Sequence, residues 1–171
     1  ANGVNDYAKM HQRMYLDTLD HLDRAVRCAV KATGESPAPL ELQFAKTDIK
    51  AAFKTLGSHP SQDWLQWILV YCPVTRELVA IPIYTQTFGA LGGVTAWWRT
   101  AQALKTILRK LFHIPVFFYV DDLFFALPAK ACRRSLDLAR RIVSDMLGWP
   151  TDDSKSGWGS SLVVLGTQVT W

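Results

Sequence analysis

The sequence has few of the residues that build disulfide frameworks and zinc sites. Its 171 residues include three cysteines and four histidines. Cys28, Cys72 and Cys132 are odd in number, far apart and never in a Cys-x-x-Cys spacing, which predicts free thiols in a reducing, intracellular compartment, cytoplasmic or nuclear. The histidines form no ligand cluster, so we expect structural roles for all seven residues.

Long apolar runs, signal-peptide features, repeats and low-complexity tracts are also missing. No apolar stretch reaches the roughly 18 residues that a membrane-spanning helix needs, so no membrane partner is predicted. The composition is 49% hydrophobic and 20% charged, which is typical of a globular domain. The net charge of +4 is compatible with a polyanionic partner but does not require one.

Two adjacent carboxylates interrupt the longest apolar run, which extends over residues 114–127. The segments on either side are aromatic and β-branched and are too short for helices, which predicts a strand, a tight turn and a second strand. Asp121 and Asp122 would lie at that turn. Asp is common in turns for local reasons, but two carboxylates beside a buried sheet are costly unless they are paired or bound to a cation. Oxygen ligands of this kind suit a divalent cation.

A third carboxylate, Asp48, follows another apolar strand start at Leu42 to Ala45. Residues 64–71 and 78–84 predict a β-hairpin, and a last strand pair turns near Gly166. Periodic apolar residues predict three amphipathic helices. The first is expected at residues 7–31 with Asp6 as its cap, and the second at residues 94–112 with Leu111 buried. The third is expected at residues 129–147 with Met146 buried and Gly148 at its end. We expect residues 149–157 to form a polar loop.

This order predicts an α+β fold, a split β-α-β arrangement in which an antiparallel sheet carries helices on one face. The strand with Asp48 can then lie beside the Asp121–Asp122 hairpin. Two or three carboxylates at one sheet edge predict a site for two Mg²⁺ ions, with Mn²⁺ as a substitute, of the kind used in nucleotidyl transfer. Mg²⁺ binds few protein carboxylates together with substrate phosphates, which suits a nucleoside triphosphate.

Five segments in order resemble the palm motifs of reverse transcriptases (RNA-directed DNA polymerases), most closely those of long-terminal-repeat and tyrosine-recombinase retrotransposons. The likeness covers about residues 42–170 and is carried by Lys46–Phe53, Thr87-Phe88-Gly89, Tyr119-Val120-Asp121-Asp122, Leu147-Gly148-Trp149-Pro150 with Lys155, and Val164-Leu165-Gly166. It implies the polymerase palm, a ferredoxin-like or RRM-like fold.

The resemblance also implies how the chain is organised. Residues 2–5 are similar to the end of the fingers motif, and the chain opens without Met, so we expect a fragment of a larger polyprotein. That fragment would lack most of the fingers, the thumb and the ribonuclease H region. The expectation is a single domain, with the end of the fingers and a covering helix at 1–41, the palm core at 42–157 and a primer-grip-like hairpin at 158–171.

The resemblance assigns roles residue by residue in template-directed DNA synthesis from dNTPs on a template-primer. Asp48, Asp121 and the auxiliary Asp122 would hold the metals, and Lys155 would lie near the leaving pyrophosphate. Phe53 would exclude a 2′-hydroxyl, although plain core packing is the alternative for this ring. The remaining implied contacts are backbone amides of Ile49, Lys50, Ala51 and Ala52 to the triphosphate, a nucleotide pocket at Phe88, Gly89 and Tyr119, and primer support at Leu165 and Gly166.

Three other functions stay open at this point. A nucleotidyl cyclase uses a related two-metal sheet, but Phe53 would exclude its ribonucleotide substrate. An RNA-templated RNA polymerase would be expected to have a polar residue at that position. A palm-derived nucleic-acid-binding or scaffold domain without catalysis would not need the intact triple of Asp48, Asp121 and Asp122.

Overall fold

The computed structural model describes residues 13–34, 40–87 and 89–171. The chain divides into two compact units. One includes residues 51–99, and the other includes residues 15–50 and 100–171. Three α-helices and eight strands lie within the described residues. The helices are α1 (Leu19–Thr33), α2 (Leu91–Leu111) and α3 (Ala129–Arg141).

A four-stranded antiparallel sheet forms the centre of the second unit. Its strands are β1 (Leu42–Ile49), β4 (Phe117–Tyr119), β5 (Asp122–Pro128) and β6 (Thr151–Gly159), in the order β4-β5-β1-β6. Along the chain they follow the pattern β1-α2-β4-β5-α3-β6, which is the split β-α-β arrangement. The predicted α+β class, with helices packed on an antiparallel sheet, is confirmed.

Alternation along the strands gives the sheet two distinct faces. Phe44, Lys46 and Asp48 of β1 share the front face with their cross-strand partners Ala126, Phe124 and Asp122 of β5. At one end of this face, Phe44, Phe117 and Phe124 pack against Leu22 of α1 and Val164 of a C-terminal hairpin. The apolar cluster therefore stops where the charged residues begin.

On the opposite face of the sheet, three side chains of β1 are buried. Ala45, Thr47 and Ile49 are at most 1% exposed. Helix α3 packs on this side, because the Arg133 guanidinium lies 4.9 Å from the ring centroid of Trp158, and Trp158 is the cross-strand partner of Ala45. Helix α1 covers a sheet face as expected, but it packs on the front one.

The first helix begins later than its periodicity predicted. Residues 13–18 are not helical, Tyr15 is 72% exposed, and the predicted cap Asp6 lies outside the described residues. The reason is Asp17, whose backbone N–H donates to Phe118 O (3.1 Å) and whose carboxylate accepts the Phe118 N–H (2.9 Å). These bonds hold the segment extended beside β4, so α1 starts only after Thr18.

Three further predictions at element ends were wrong. Leu111 and Met146, both expected to be buried, are 70% and 76% exposed, because each lies at the end of a helical segment. Residues 151–159 form the edge strand β6 rather than a loop. Its Asp, Ser and Gly residues have little β propensity, and pairing with β1 overrides that preference. A π-helical segment, Ile142–Met146, continues from α3, and Gly148 lies just beyond its end with φ +68.

The unit that includes residues 51–99 contains the expected β-hairpin. Its strands are β2 (Trp67–Cys72) and β3 (Glu77–Pro82), paired antiparallel. Phe53 is 8% exposed and packs against Trp97, with ring centroids 6.4 Å apart. Within this unit Phe53 packs as a core residue does, and its predicted role against a 2′-hydroxyl stays a prediction.

A second hairpin ends the chain in the other unit. Strands β7 (Ser161–Val164) and β8 (Thr167–Thr170) are joined by Leu165 and Gly166, as predicted. Both turn residues have positive φ, +48 and +76, which matches a type I′ turn and the right-handed twist of the strands. No helix among the described residues combines the length and hydrophobicity needed to cross a membrane.

Candidate active site

Asp48 is a buried carboxylate near the end of β1. Its residue is 6% exposed, and it directly faces Asp122 of β5 across the strand pair. Side chains at such opposed positions have Cβ atoms roughly 4.5–5.5 Å apart. The structure therefore brings together two of the three acids that the sequence predicted to meet.

Asp121 lies in the tight turn between β4 and β5. Val120 has φ +55, which reverses the chain within two residues, and the Ile49 N–H donates to Asp121 O at 3.1 Å. That hydrogen bond fixes the turn beside the end of β1. As predicted, a strand, a turn and a strand carry the acid pair, with Asp122 as the first residue of β5.

All three acids line one pocket of about 320 Å³. Two lysines, Lys46 and Lys155, line it as well. The β7–β8 hairpin supplies one wall through Val164, Leu165 and Gly166, and Phe124 supplies apolar surface. The pocket thus combines a carboxylate cluster, two ammonium groups and the C-terminal turn, all within the second unit.

Lys155 forms an ion pair with Asp48 inside this pocket. Its Nζ lies 3.2 Å from Asp48 Oδ2, and its side chain is 60% exposed while that of Asp48 is 8% exposed. Lys155 reaches the acid because the register between β1 and β6 shifts between Lys46 and Asp48. The hydrogen bond to Asp48 raises the pKa of Lys155.

The two acids of the turn are harder to ionise than ordinary aspartates. Burial raises the pKa of Asp121, and the nearby charge of Asp48 adds to the effect. Burial also raises the pKa of Asp122, as do the charges of Asp121 and Asp48, while Lys46 and Lys155 act in the opposite direction. An added cation in the pocket would relieve the repulsion that remains.

The carboxylate oxygens are ligands of the type that Mg²⁺ prefers, but few side chains are close enough to bind one ion together. No cluster of three or more metal-ligating side chains occurs in the part of the chain that the structure describes. Mg²⁺ is commonly held by one or two carboxylates, with substrate phosphates and waters completing its six oxygen ligands. Asp48 and Asp121 are the residues that would hold it, with Asp122 beside them.

The predicted backbone contacts to a triphosphate divide into two groups. The amides of Ile49 and Lys50 already donate to Asp121 O (3.1 Å) and Pro150 O (2.8 Å), so a triphosphate would have to compete with these hydrogen bonds. Ala51, Ala52, Phe53 and Gly89 belong to the other unit, and their roles stay predictions. Phe88 lies outside the described residues.

Tyr119 stands opposite Asp122 in the β4–β5 pair and is 40% exposed. It lines a neighbouring pocket of about 550 Å³, in which Asp122, Leu165 and Gly166 meet the start of α1 at Thr18 to Asp20. The residues predicted to contact nucleotide and primer on this side are therefore contiguous with the acids.

The site residue that the sequence analysis missed is Lys46. It lies two positions before Asp48 in β1, so the period of two in a strand places both side chains on the front face. That spacing was visible in the sequence and would have identified it. Comparison with models of known protein families and with curated proteins found no match for this chain.

Proposed function

We propose that this chain is the palm of a template-directed DNA polymerase that transfers nucleotides from dNTPs to a primer 3′-hydroxyl with two divalent metal ions. One observation carries the proposal: Asp48, Asp121 and Asp122 line the same pocket as Lys46 and Lys155. Carboxylates for metals next to ammonium groups for phosphates are what nucleotidyl transfer requires.

In this proposal the acids position the metal ions. Asp48 and Asp121 hold them, and Asp122 adds negative charge opposite Asp48. Bound Mg²⁺ would lower the pKa of the primer hydroxyl and stabilise charge on the transferred phosphoryl group. Burial and the neighbouring carboxylates raise the pKa values of Asp121 and Asp122, and a bound cation would stabilise the ionised form of both.

The lysines serve the triphosphate. Lys155 pairs with Asp48 when no phosphate is present (3.2 Å), and its exposed stem lets it turn to a leaving pyrophosphate. Lys46 offers a second ammonium group from β1, two positions before Asp48. Exchange of the carboxylate partner for phosphate would free Asp48 to bind metal.

The hairpin wall is assigned to the primer. Leu165 and Gly166 line both pockets, so a strand end that lies against this turn would be within reach of the acids. The resemblance to reverse transcriptases additionally assigns Phe53 to the exclusion of ribonucleotides. The test of that role is substitution of Phe53 by Ala, which should admit rNTPs.

Primer extension tests the proposed function. The chain is incubated with Mg²⁺, a DNA primer on an RNA template and labelled dNTPs, and incorporation is measured. Asp48→Asn should lower incorporation by more than about 100-fold, since even outer-shell partners of a metal are worth about 10–100-fold. Asp137→Asn, an exposed carboxylate on α3, is the matched control and should leave the rate unchanged. Equal rates for Asp48→Asn and the parent chain would refute the proposal.

One observation favours a second candidate, a palm-derived nucleic-acid-binding domain without catalysis. Asp48 is paired with Lys155, and a permanent ion pair would neutralise the acid without any metal. The two candidates differ in what Lys155→Met does to Mn²⁺ binding in the presence of a dNTP. If the chain is a polymerase palm, Lys155→Met should still bind Mn²⁺ through Asp48. If it is a binding domain without catalysis, neither the parent chain nor Lys155→Met should bind Mn²⁺.

A further inference from the structure

A third pocket, separate from the acids, lies where α1, the end of α2 and the start of β4 meet. Its volume is about 470 Å³. Four of the residues that line it are basic or imidazole side chains, namely His21, Arg24, Arg109 and His113. No carboxylate is found among the described residues that line it. An opening with this composition attracts anions.

Arg109 is held in place by two contacts. Its Nε donates to Val116 O at 2.8 Å, and its guanidinium lies 4.8 Å from the ring centroid of Phe117. Burial lowers the pKa of Arg109, and the charge of Asp17 offsets this in part. Asp17 itself is paired with Lys105. The terminal nitrogens of Arg109 are therefore preorganised donors.

The other three groups add further donors to the lining of the same pocket. His21 Nδ1 accepts the Thr18 N–H at 3.0 Å, so the proton of the neutral ring is on Nε2 and is available as a donor. Arg24 is exposed and makes no ion pair with any described residue. His113, at φ +54 after α2, is likewise exposed.

The floor of the pocket is apolar and includes Ile114, Pro115 and Phe117. A cationic rim above an apolar floor suits a ligand that has both a phosphoryl group and a flat apolar body. An inorganic anion would use only the rim. Arginine is well suited to phosphate oxygens because its fork of N–H donors can bond two of them at once.

We propose that this pocket binds the phosphoryl group of a nucleotide unit, with Arg24 and Arg109 on the phosphate and the base against the apolar floor. The unit can come from a nucleic-acid strand or from a free nucleotide, and both share the chemistry that the pocket recognises. The pocket is distinct from the acidic pocket and requires no metal. Its ligand binding therefore does not depend on catalysis.

Two measurements on the whole chain test this site. The first is imidazole ¹H–¹⁵N NMR of His21 and His113 during titration with inorganic phosphate, with a dNTP and with a short single-stranded oligonucleotide, all without divalent metal. The second is fluorescence anisotropy of the labelled oligonucleotide at several salt concentrations. Arg24→Gln is compared with Arg27→Gln, an exposed arginine of the same helix that pairs with Asp23 and does not line the pocket.

The site is supported if a nucleotide ligand shifts both imidazoles more than inorganic phosphate does. Arg24→Gln should weaken binding about tenfold, as expected for one charge-assisted hydrogen bond, and should reduce the salt slope by about one. Shifts with the oligonucleotide identify a strand as the source, and shifts with the dNTP alone identify a free nucleotide. Asp48→Asn should bind as the parent chain does, which separates this site from the proposed polymerase activity.

Two outcomes would overturn the proposal. The first is an equal loss of affinity in Arg24→Gln and Arg27→Gln, which would reduce the effect to general surface charge. The second is the absence of imidazole shifts with every phosphate ligand. Arg109→Lys gives a further check, because it keeps the positive charge but removes the fork of N–H donors. It should weaken nucleotide binding, and the imidazole spectrum of the ligand-free variant should remain that of a folded protein.

Discussion

At the scale of single residues, the main feature is a set of like charges that the fold forces together. Asp48 and Asp122 face each other across adjacent strands, and Asp121 immediately precedes Asp122 in the turn. Like charges directly opposite in a sheet are destabilising. Repulsion among these carboxylates destabilises the folded chain at the edge of its apolar core, and a bound cation would relieve it.

Removing one of these charges should stabilise the metal-free protein. In EDTA at pH 7, Asp122→Asn should raise the free energy of unfolding by on the order of 0.5 kcal/mol, within the range for opposed cross-strand pairs. The folded-state pKa of Asp122 is raised above 3.8, so the penalty in the parent chain grows as the pH rises through that folded pKa. The gain in Asp122→Asn should therefore fade as the pH is lowered towards 3.8. Urea unfolding at several pH values measures it, and a less stable Asn variant at pH 7 would contradict this account.

The cysteines give a second residue-scale prediction. Burial raises the pKa of Cys132 to about 11, whereas hydrogen bonds from Thr75 lower the pKa of Cys72. Because the thiolate is the reactive form, iodoacetamide at pH 8 should label Cys72 well before Cys132. Peptide mass spectrometry reads the order. Faster labelling of Cys132 than of Cys72 in the folded chain would show that the Cys132 thiol is not buried.

The sequence predicted most of the acidic site at this scale. Asp48 and the Asp121–Asp122 pair were visible because carboxylates interrupt apolar strands. The sequence could not show that the amides of Ile49 and Lys50 already donate within the fold, because their partners, Asp121 O and Pro150 O, are distant in sequence. The cationic pocket was not foreseen either, since its four groups come from α1, α2 and the segment after α2.

At the scale of elements, the start of α1 is determined by one buried ion pair. Asp17 is 7% exposed, pairs with Lys105 of α2 and accepts the Phe118 N–H of β4. The spacing of apolar residues predicted a helix through this position, because Tyr15 and Leu19 are four residues apart, as on one face of a helix. Only the tertiary partners reveal that the segment is extended.

Loss of that anchor should be costly. Asp17→Ala leaves Lys105 without its partner at a side-chain exposure of 14%, so the free energy of unfolding should fall by about 3–5 kcal/mol. The control is Asp23→Ala, which breaks an exposed pair with Arg27 on the same helix and should cost only about 0–1 kcal/mol. Urea denaturation compares the two. Equal effects would mean that the Asp17 pair does not anchor α1.

At the scale of the whole molecule, the split β-α-β order explains why distant residues converge. The order β4-β5-β1-β6 places β1 between β5 and β6, so Asp48 meets Asp122 from one side and Lys155 from the other. The alternation of strands and helices predicted this class, since each element type has its own periodicity. The edge strand β6 escaped prediction because its polar sequence forms a strand only once β1 is available as a partner.

In the proposed site Asp48 and Asp121 jointly hold a divalent ion beside a triphosphate, and electron paramagnetic resonance of free Mn²⁺ measures that binding. With a non-hydrolysable dNTP present, the parent chain and Asp137→Asn should take up Mn²⁺ alike. Asp48→Asn and Asp121→Asn should each weaken uptake by more than about tenfold. Uptake that is unchanged in Asp48→Asn, or absent in the parent chain with the triphosphate present, would contradict the account.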